Sequence, residues 1–167
     1  MTEPLLAEAL IESLRQRGLK LAVAESLTGG QIASTIVDVP GASDVFLGGV
    51  VAYATAAKTG MLGISTELLE SRGAVDADVA AEMARSCAER FANSCGVAKD
   101  NVLGVSSTGV AGPATQDGRP AGTVFVAVCI GENIQVAEFL FDGGRAEVRT
   151  QATAEALKLA GSLLSQL

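Results

Sequence analysis

Ser26, Tyr53 and Lys58 are the residues whose types and surroundings could carry covalent chemistry. Ser26 lies in Ala24-Glu25-Ser26-Leu27-Thr28-Gly29-Gly30, between a strand-like and a helix-like stretch. A serine at the tip of such a turn can point its hydroxyl outward, where the amides and dipole of the following helix stabilise an oxyanion or phosphate. The same pattern also fits a Ser26 or Thr28 that caps the helix and does nothing else. The second stretch, Gly48-Gly49-Val50-Val51-Ala52-Tyr53, is followed five residues later by Lys58. Tyr53 is the only tyrosine, and no cation falls between Lys20 and Lys58. Lysine titrates at about 10.4 in water, so only desolvation or neighbouring cations make it a base; a solvated Lys58 would stay charged. The spacing differs from the Tyr/Lys spacing of short-chain dehydrogenases, and no glycine fingerprint for a dinucleotide precedes it, which excludes that chemistry. The third stretch is Ser106-Ser107-Thr108-Gly109-Val110-Ala111-Gly112-Pro113, whose small residues let backbone approach a ligand as readily as they form a plain turn. A polar loop continues it through Asp117-Gly118-Arg119-Pro120 to Gly122.

The sequence contains no histidine. That removes Ser-His-Asp triads, Cys-His dyads and every His-ligated metal site, so a nucleophile here must be activated by Lys, Tyr or a carboxylate. Neither metal nor cofactor is expected. Cys87 and Cys95 would lie about 12 Å apart along one helix and cannot pair there. Cys129 falls in an apolar strand-like run and reads as a small buried hydrophobe. A formal charge of −7, five Phe and no Trp argue against a nucleic-acid-binding surface. No apolar run reaches the roughly 18 residues that a membrane span needs. Met1 to Leu10 carries two acids and no base, unlike a secretory signal, so a soluble cytoplasmic protein is expected.

These residues need elements to position them. Leu6, Leu10 and Leu14 recur at helical spacing in a helix from Leu5 to Arg17 that stops at Gly18. Strands are predicted at Lys20 to Ala24, Phe46 to Tyr53, Asn101 to Ser107, Thr123 to Ile130 and Ile134 to Phe141, the last two forming a hairpin across Gly131-Glu132-Asn133. Helices are predicted from about Gln31 to Val37, Thr55 to Leu62 and Thr66 to Ser71. A longer one, capped by Asp76 or Asp78, buries Val79, Met83, Cys87 and Phe91. A final helix, Arg145 to Leu167, offers Val148, Ala152, Leu159 and Leu163 for burial. With 167 residues and no long linker, the pattern is a single-domain α/β sandwich, a mixed β-sheet flanked by helices.

Taken in order, five strings resemble the nicotinamide-nucleotide amidohydrolases built on the CinA C-terminal domain. They are Ala24-Glu25-Ser26 with Thr28-Gly29-Gly30; Gly48 to Tyr53 with Ala57-Lys58; Gly73-Ala74-Val75; Thr108 to Pro113 with Gly122-Thr123-Val124; and Gly144-Arg145. The resemblance implies a Ser26 nucleophile, a Lys58 base and an assisting Tyr53, similar in logic to serine β-lactamases. It implies hydrolysis of nicotinamide mononucleotide to nicotinic acid mononucleotide and ammonia. The substrate-binding candidates are Thr28, Gly29, Gly30, Thr108, Gly109, Gly112 and Arg145. The expected partner is a small-molecule nucleotide, with neither nucleic acid nor membrane, and a homodimer or higher homo-oligomer is expected. Two departures stand out: Leu27 replaces a frequent cysteine, and Ala114 to Pro120 lacks the usual run of glycines and carries Arg119 where lysine is common. The competing reading is a non-catalytic nucleotide- or partner-binding module linked to competence or DNA damage. Such a module has no use for Ser26 and Lys58 together.

Overall fold

Residue size alternates along the central strand and decides what packs on each side of it. In β1 (Lys20–Glu25), Leu21 and Val23 face one core while Ala22 and Ala24 face the other. A computed structural model describes residues 2–167. β1 pairs in parallel with β2 (Phe46–Val51) and with β3 (Val102–Gly109). The sheet continues antiparallel through β4 (Thr123–Ile130) and β5 (Asn133–Leu140), giving the order β2-β1-β3-β4-β5. Helices α1 (Glu3–Arg17), α2 (Gln31–Val37) and α6 (Arg145–Ser165) cover the face with the larger side chains. The small-residue face takes α4 (Thr66–Arg72) and α5 (Ala77–Cys95). Between β2 and α4 the chain forms one turn of helix, α3 (Thr55–Ala57), then a wider π-helical turn over Lys58–Leu62. The result is the single-domain α/β sandwich with a mixed sheet, and among the described residues no helix is long and apolar enough to cross a membrane.

Small side chains let α5 approach the sheet closely. A Cβ placed on Gly104 would stand 2.3 Å from the Ala84 carbonyl oxygen, which no alanine can do. Val79, Met83 and Cys87 are buried as their spacing predicts, but Phe91 is only half-buried at the edge of this core. On α6, Leu159 likewise stays half-buried, while Ala156, Leu157, Ala160 and Leu164 fill the core. Burial pushes the Cys87 thiol up to about 12 and the Cys129 thiol up to about 11, so both behave as core hydrophobes.

Element ends shift where side chains or tertiary pairing overrule local pattern. Asp76 rather than Asp78 caps α5, its carboxylate accepting from the Asp78 amide at 2.9 Å. β2 ends at Val51, so Tyr53 lies beyond it and not within it. β1 and β3 run longer than their apolar residues, to Glu25 and Gly109, because each is paired through to its end. The segment predicted as one helix from Thr55 to Leu62 is split at Lys58. The parallel strands β1, β2 and β3 all end on one side of the sheet, where open α/β folds bind ligands.

Candidate active site

The turn after β1 is fixed by buried polar contacts. The Ser26 amide donates to Ser107 O at 2.9 Å, the Gly29 amide donates to Ser26 O at 3.1 Å, and the Thr28 and Ser107 hydroxyls bond at 2.7 Å. Glu25 is 1% exposed, and its carboxylate accepts from the amides of Gly30, Ile32 and Ala33 at 2.9, 3.0 and 2.8 Å. The amides of Gly30, Ile32 and Ala33 at the start of α2 thus already serve a carboxylate. Gly30 enters α2 with φ at 97°, a conformation that favours glycine. Of the turn residues, Ser26 and Leu27 line the cavity, and the side chain of Thr28 is turned to Ser107; Gly29 and Gly30 are not among the lining residues.

Lys58 begins the π-helical turn, a distortion that re-aims a side chain relative to regular helix. Its Nζ reaches both Ser26 Oγ and Ala52 O at 2.9 Å, and the residue is 1% exposed. Burial pulls its pKa from 10.5 down to about 8, against the opposing pull of Asp117. An ammonium donates to both oxygens. The neutral amine keeps one N–H for Ala52 O and turns its lone pair to the serine proton, as a general base must.

A cavity of about 290 Å³ opens over this pair, at the small end of ligand pockets. Ser26, Lys58, Tyr53, Thr108, Gly109, Gly112 and Arg145 all line it. Tyr53 is exposed, and its hydroxyl accepts from Arg145 Nη2, so it meets the arginine rather than the serine or lysine. Arg145 Nη1 also donates to Gly112 O at 3.2 Å. Thr108 is buried, and its hydroxyl donates to Ala74 O at 2.6 Å, which leaves its surface but not its O–H for a ligand. The lining contains two cations and no carboxylate, although the protein as a whole carries −7.

Three participants escaped sequence reasoning. Glu25 was visible only as part of a motif. Arg149 donates from Nε to Leu27 O at 3.1 Å and from Nη2 to Thr28 O at 2.7 Å. Its one sequence signal is its place four residues after Arg145 on a helix, on the same side. Asp117 accepts from the Ala74 amide at 2.8 Å and so ties the loop after β3 to the cavity wall.

The CinA C-terminal domain family matches residues 4–164 of this chain. A CinA-like protein of Geobacter sulfurreducens is 43% identical over 150 residues, covering 89% of this chain and 34% of that one. A CinA-like protein of Frankia casuarinae is 40% identical over 154 residues, covering 92% and 34%. The chain thus spans about a third of the length of the curated relatives it matches. Among solved structures, a competence-damaged protein (CinA) superfamily member from Escherichia coli is 34% identical. It superposes with a TM-score of 0.86 over 98% of this chain and 90% of its own. A superfamily member from Klebsiella pneumoniae, 28% identical, reaches 0.90 over 100% of both chains.

Proposed function

For a chain that belongs to the CinA C-terminal domain family, we propose amide hydrolysis at Ser26: conversion of nicotinamide mononucleotide to nicotinic acid mononucleotide and ammonia. One observation carries the reaction class, the buried Lys58 Nζ at 2.9 Å from Ser26 Oγ with its pKa drawn down to about 8. At neutral pH about a tenth of such a lysine is neutral, enough for a base that is regenerated each cycle. In the proposed sequence, Lys58 takes the serine proton as Ser26 Oγ attacks the carboxamide carbon. Lys58 then returns that proton to the departing nitrogen, releasing ammonia and leaving an acyl-serine. Water, deprotonated by the same amine, attacks the ester and frees the carboxylate.

The substrate class rests on the family resemblance and on the charge of the cavity. Lys58 and Arg145 face it without a carboxylate among its lining residues, which favours an anion. Two guanidinium nitrogens of Arg145 are engaged, by Gly112 O and the Tyr53 hydroxyl, and the remaining N–H groups are free to take a phosphate. Tyr53 is thereby assigned to orienting Arg145 and closing the cavity mouth. Purified protein incubated with nicotinamide mononucleotide should release ammonia, and Ser26→Ala should release none while unfolding at nearly the wild-type temperature. Ammonia release surviving in that variant would remove Ser26 from the reaction; none from wild type would leave the binding module as the better reading.

A further inference from the structure

Five amides lie in the turn from Ser26 to Gly30, and three are committed. Ser26 donates to Ser107 O, Gly29 to Ser26 O and Gly30 to Glu25. The amides of Leu27 and Thr28 meet no protein acceptor among the described residues. Leu27 lines the cavity beside Ser26. The carbonyls of these same two residues are clasped by one guanidinium, Arg149, from a helix more than a hundred residues away. A trans peptide points its C=O and N–H to opposite sides. Holding Leu27 O therefore sets the direction of the Thr28 amide, and holding Thr28 O sets the Gly29 amide, whose bond to Ser26 O closes the turn.

We propose that Arg149 is a positioning residue for the nucleophile: it locks the serine turn so that the Leu27 and Thr28 amides stay open to the oxyanion formed at Ser26. It supplies the order that the start of α2 cannot, since Glu25 has taken those amides. Two forked donors on successive carbonyls fix a peptide orientation, whereas a point charge would leave it free to rotate. The proposal rests on Ser26 being the nucleophile, and not on which amide is cleaved.

A fluorophosphonate tests the turn without any amide substrate. Ser26 Oγ attacks phosphorus, its proton passes to Lys58, fluoride leaves, and the phosphoryl oxygen carries the charge that the free amides receive. Wild type should label at Ser26, and folded Arg149→Ala should label about 100-fold more slowly, the scale of a lost oxyanion donor. Guanidinium ion at non-denaturing concentration should restore part of that rate and leave wild type unchanged. With substrate, kcat should fall while KM holds, and the pH limb set by Lys58 should keep its position. Labelling of folded Arg149→Ala within about twofold of wild type would overturn the proposal, as would a wild type whose Ser26 does not react. Should the alanine variant fail to fold, Arg149→Lys serves: reaching one carbonyl, it should slow labelling about tenfold, and an undiminished rate would count against the proposal. Wild type that labels at Ser26 yet releases no ammonia from nicotinamide mononucleotide would instead sink the substrate assignment alone.

Discussion

The turn from Ser26 to Gly30 and the loop from Val110 to Gly122 meet at one cavity, yet they are held by different kinds of contact. The turn is anchored from beneath by the buried Glu25, Thr28 and Ser107 and from the side by Arg149. The loop is closed at its base, where Val110 N donates to Thr123 O and Gly122 N to Val110 O, each at 2.8 Å. Between those ends residues 113–118 are exposed. The Asp117 bond to the Ala74 amide holds them, with 3.7 Å ion pairs from Arg119 to Asp76 and Glu138. Buried bonds to charged groups are worth more than exposed ion pairs, so the turn is the stiff partner and the loop the adjustable one. In the proposed reaction the reacting atoms, Ser26 Oγ and Lys58 Nζ, belong to the stiff side of the cavity and the loop forms its adjustable wall.

Substitutions sharpen this contrast in descending order of effect. Lys58→Arg should abolish turnover while nucleotide still binds, since guanidinium stays charged and cannot accept the serine proton. In wild type, turnover should climb with pH through a midpoint near 8 and level off above it, because the neutral amine is the active form. The same depressed pKa bears on folding. Between about 8 and 10.5 the unfolded chain holds the proton that the folded lysine has lost, so this group makes stability rise with pH across that window. A rate profile flat from pH 6 to 9 would remove Lys58 as the base. Glu25→Ala leaves three amides of the stiff side without their acceptor and should cost about 3 kcal/mol in denaturant unfolding, with turnover falling too. A loss below about 1 kcal/mol would mean that the turn is held by something other than Glu25.

On the adjustable side the effects are smaller and of another kind. Asp117→Asn keeps an oxygen for the Ala74 amide but removes the charge that opposes the drop in the Lys58 pKa. The pH limb should move to lower pH, with KM raised by loosening of the loop; a shift to higher pH would contradict the charge argument. Arg119→Ala removes two long ion pairs from a partly exposed guanidinium, one to the buried Asp76 and one to the exposed Glu138, together with its stacking 5.3 Å from the Phe125 ring centre. Stability should change by less than about 1 kcal/mol, and KM, measured with nicotinamide mononucleotide, should carry most of the effect. A variant whose kcat collapses would show the loop to be part of the stiff machinery.

What could be read in the sequence follows the same division. Strand periodicity, glycine stops and the missing histidine were enough for the α/β sandwich and for the three stretches that meet at the cavity. Short-range chemistry was visible because it depends on neighbours in sequence. Lys58 was legible as a cation in a long neutral run, but not as a buried one, since its burial depends on the π-helical turn. Glu25 stood in the turn motif without a role of its own; that it caps α2 depends on the turn folding back across eight residues. Tyr53 was grouped with Ser26 and Lys58 by the family resemblance, and its hydroxyl meets Arg145, 92 residues on in the chain. Leu159 fits the helical stripe by count, but alanines let α6 sink against the sheet along a neighbouring line.

The clasp of Arg149 on Leu27 and Thr28 also has a meaning in time. Ribosomes deliver the serine turn early and α6 last among the elements that touch it, 121 and 122 residues later. Until α6 emerges and docks, Ser26 and Lys58 have both been synthesised but the turn lacks its brace. If the clasp arms Ser26 as proposed, a growing chain carries an unarmed serine, and its reactivity switches on only when α6 docks. Ribosome-stalled chains that stop before Arg145 should leave Ser26 unmarked by the fluorophosphonate, whereas released chains of full length should be labelled.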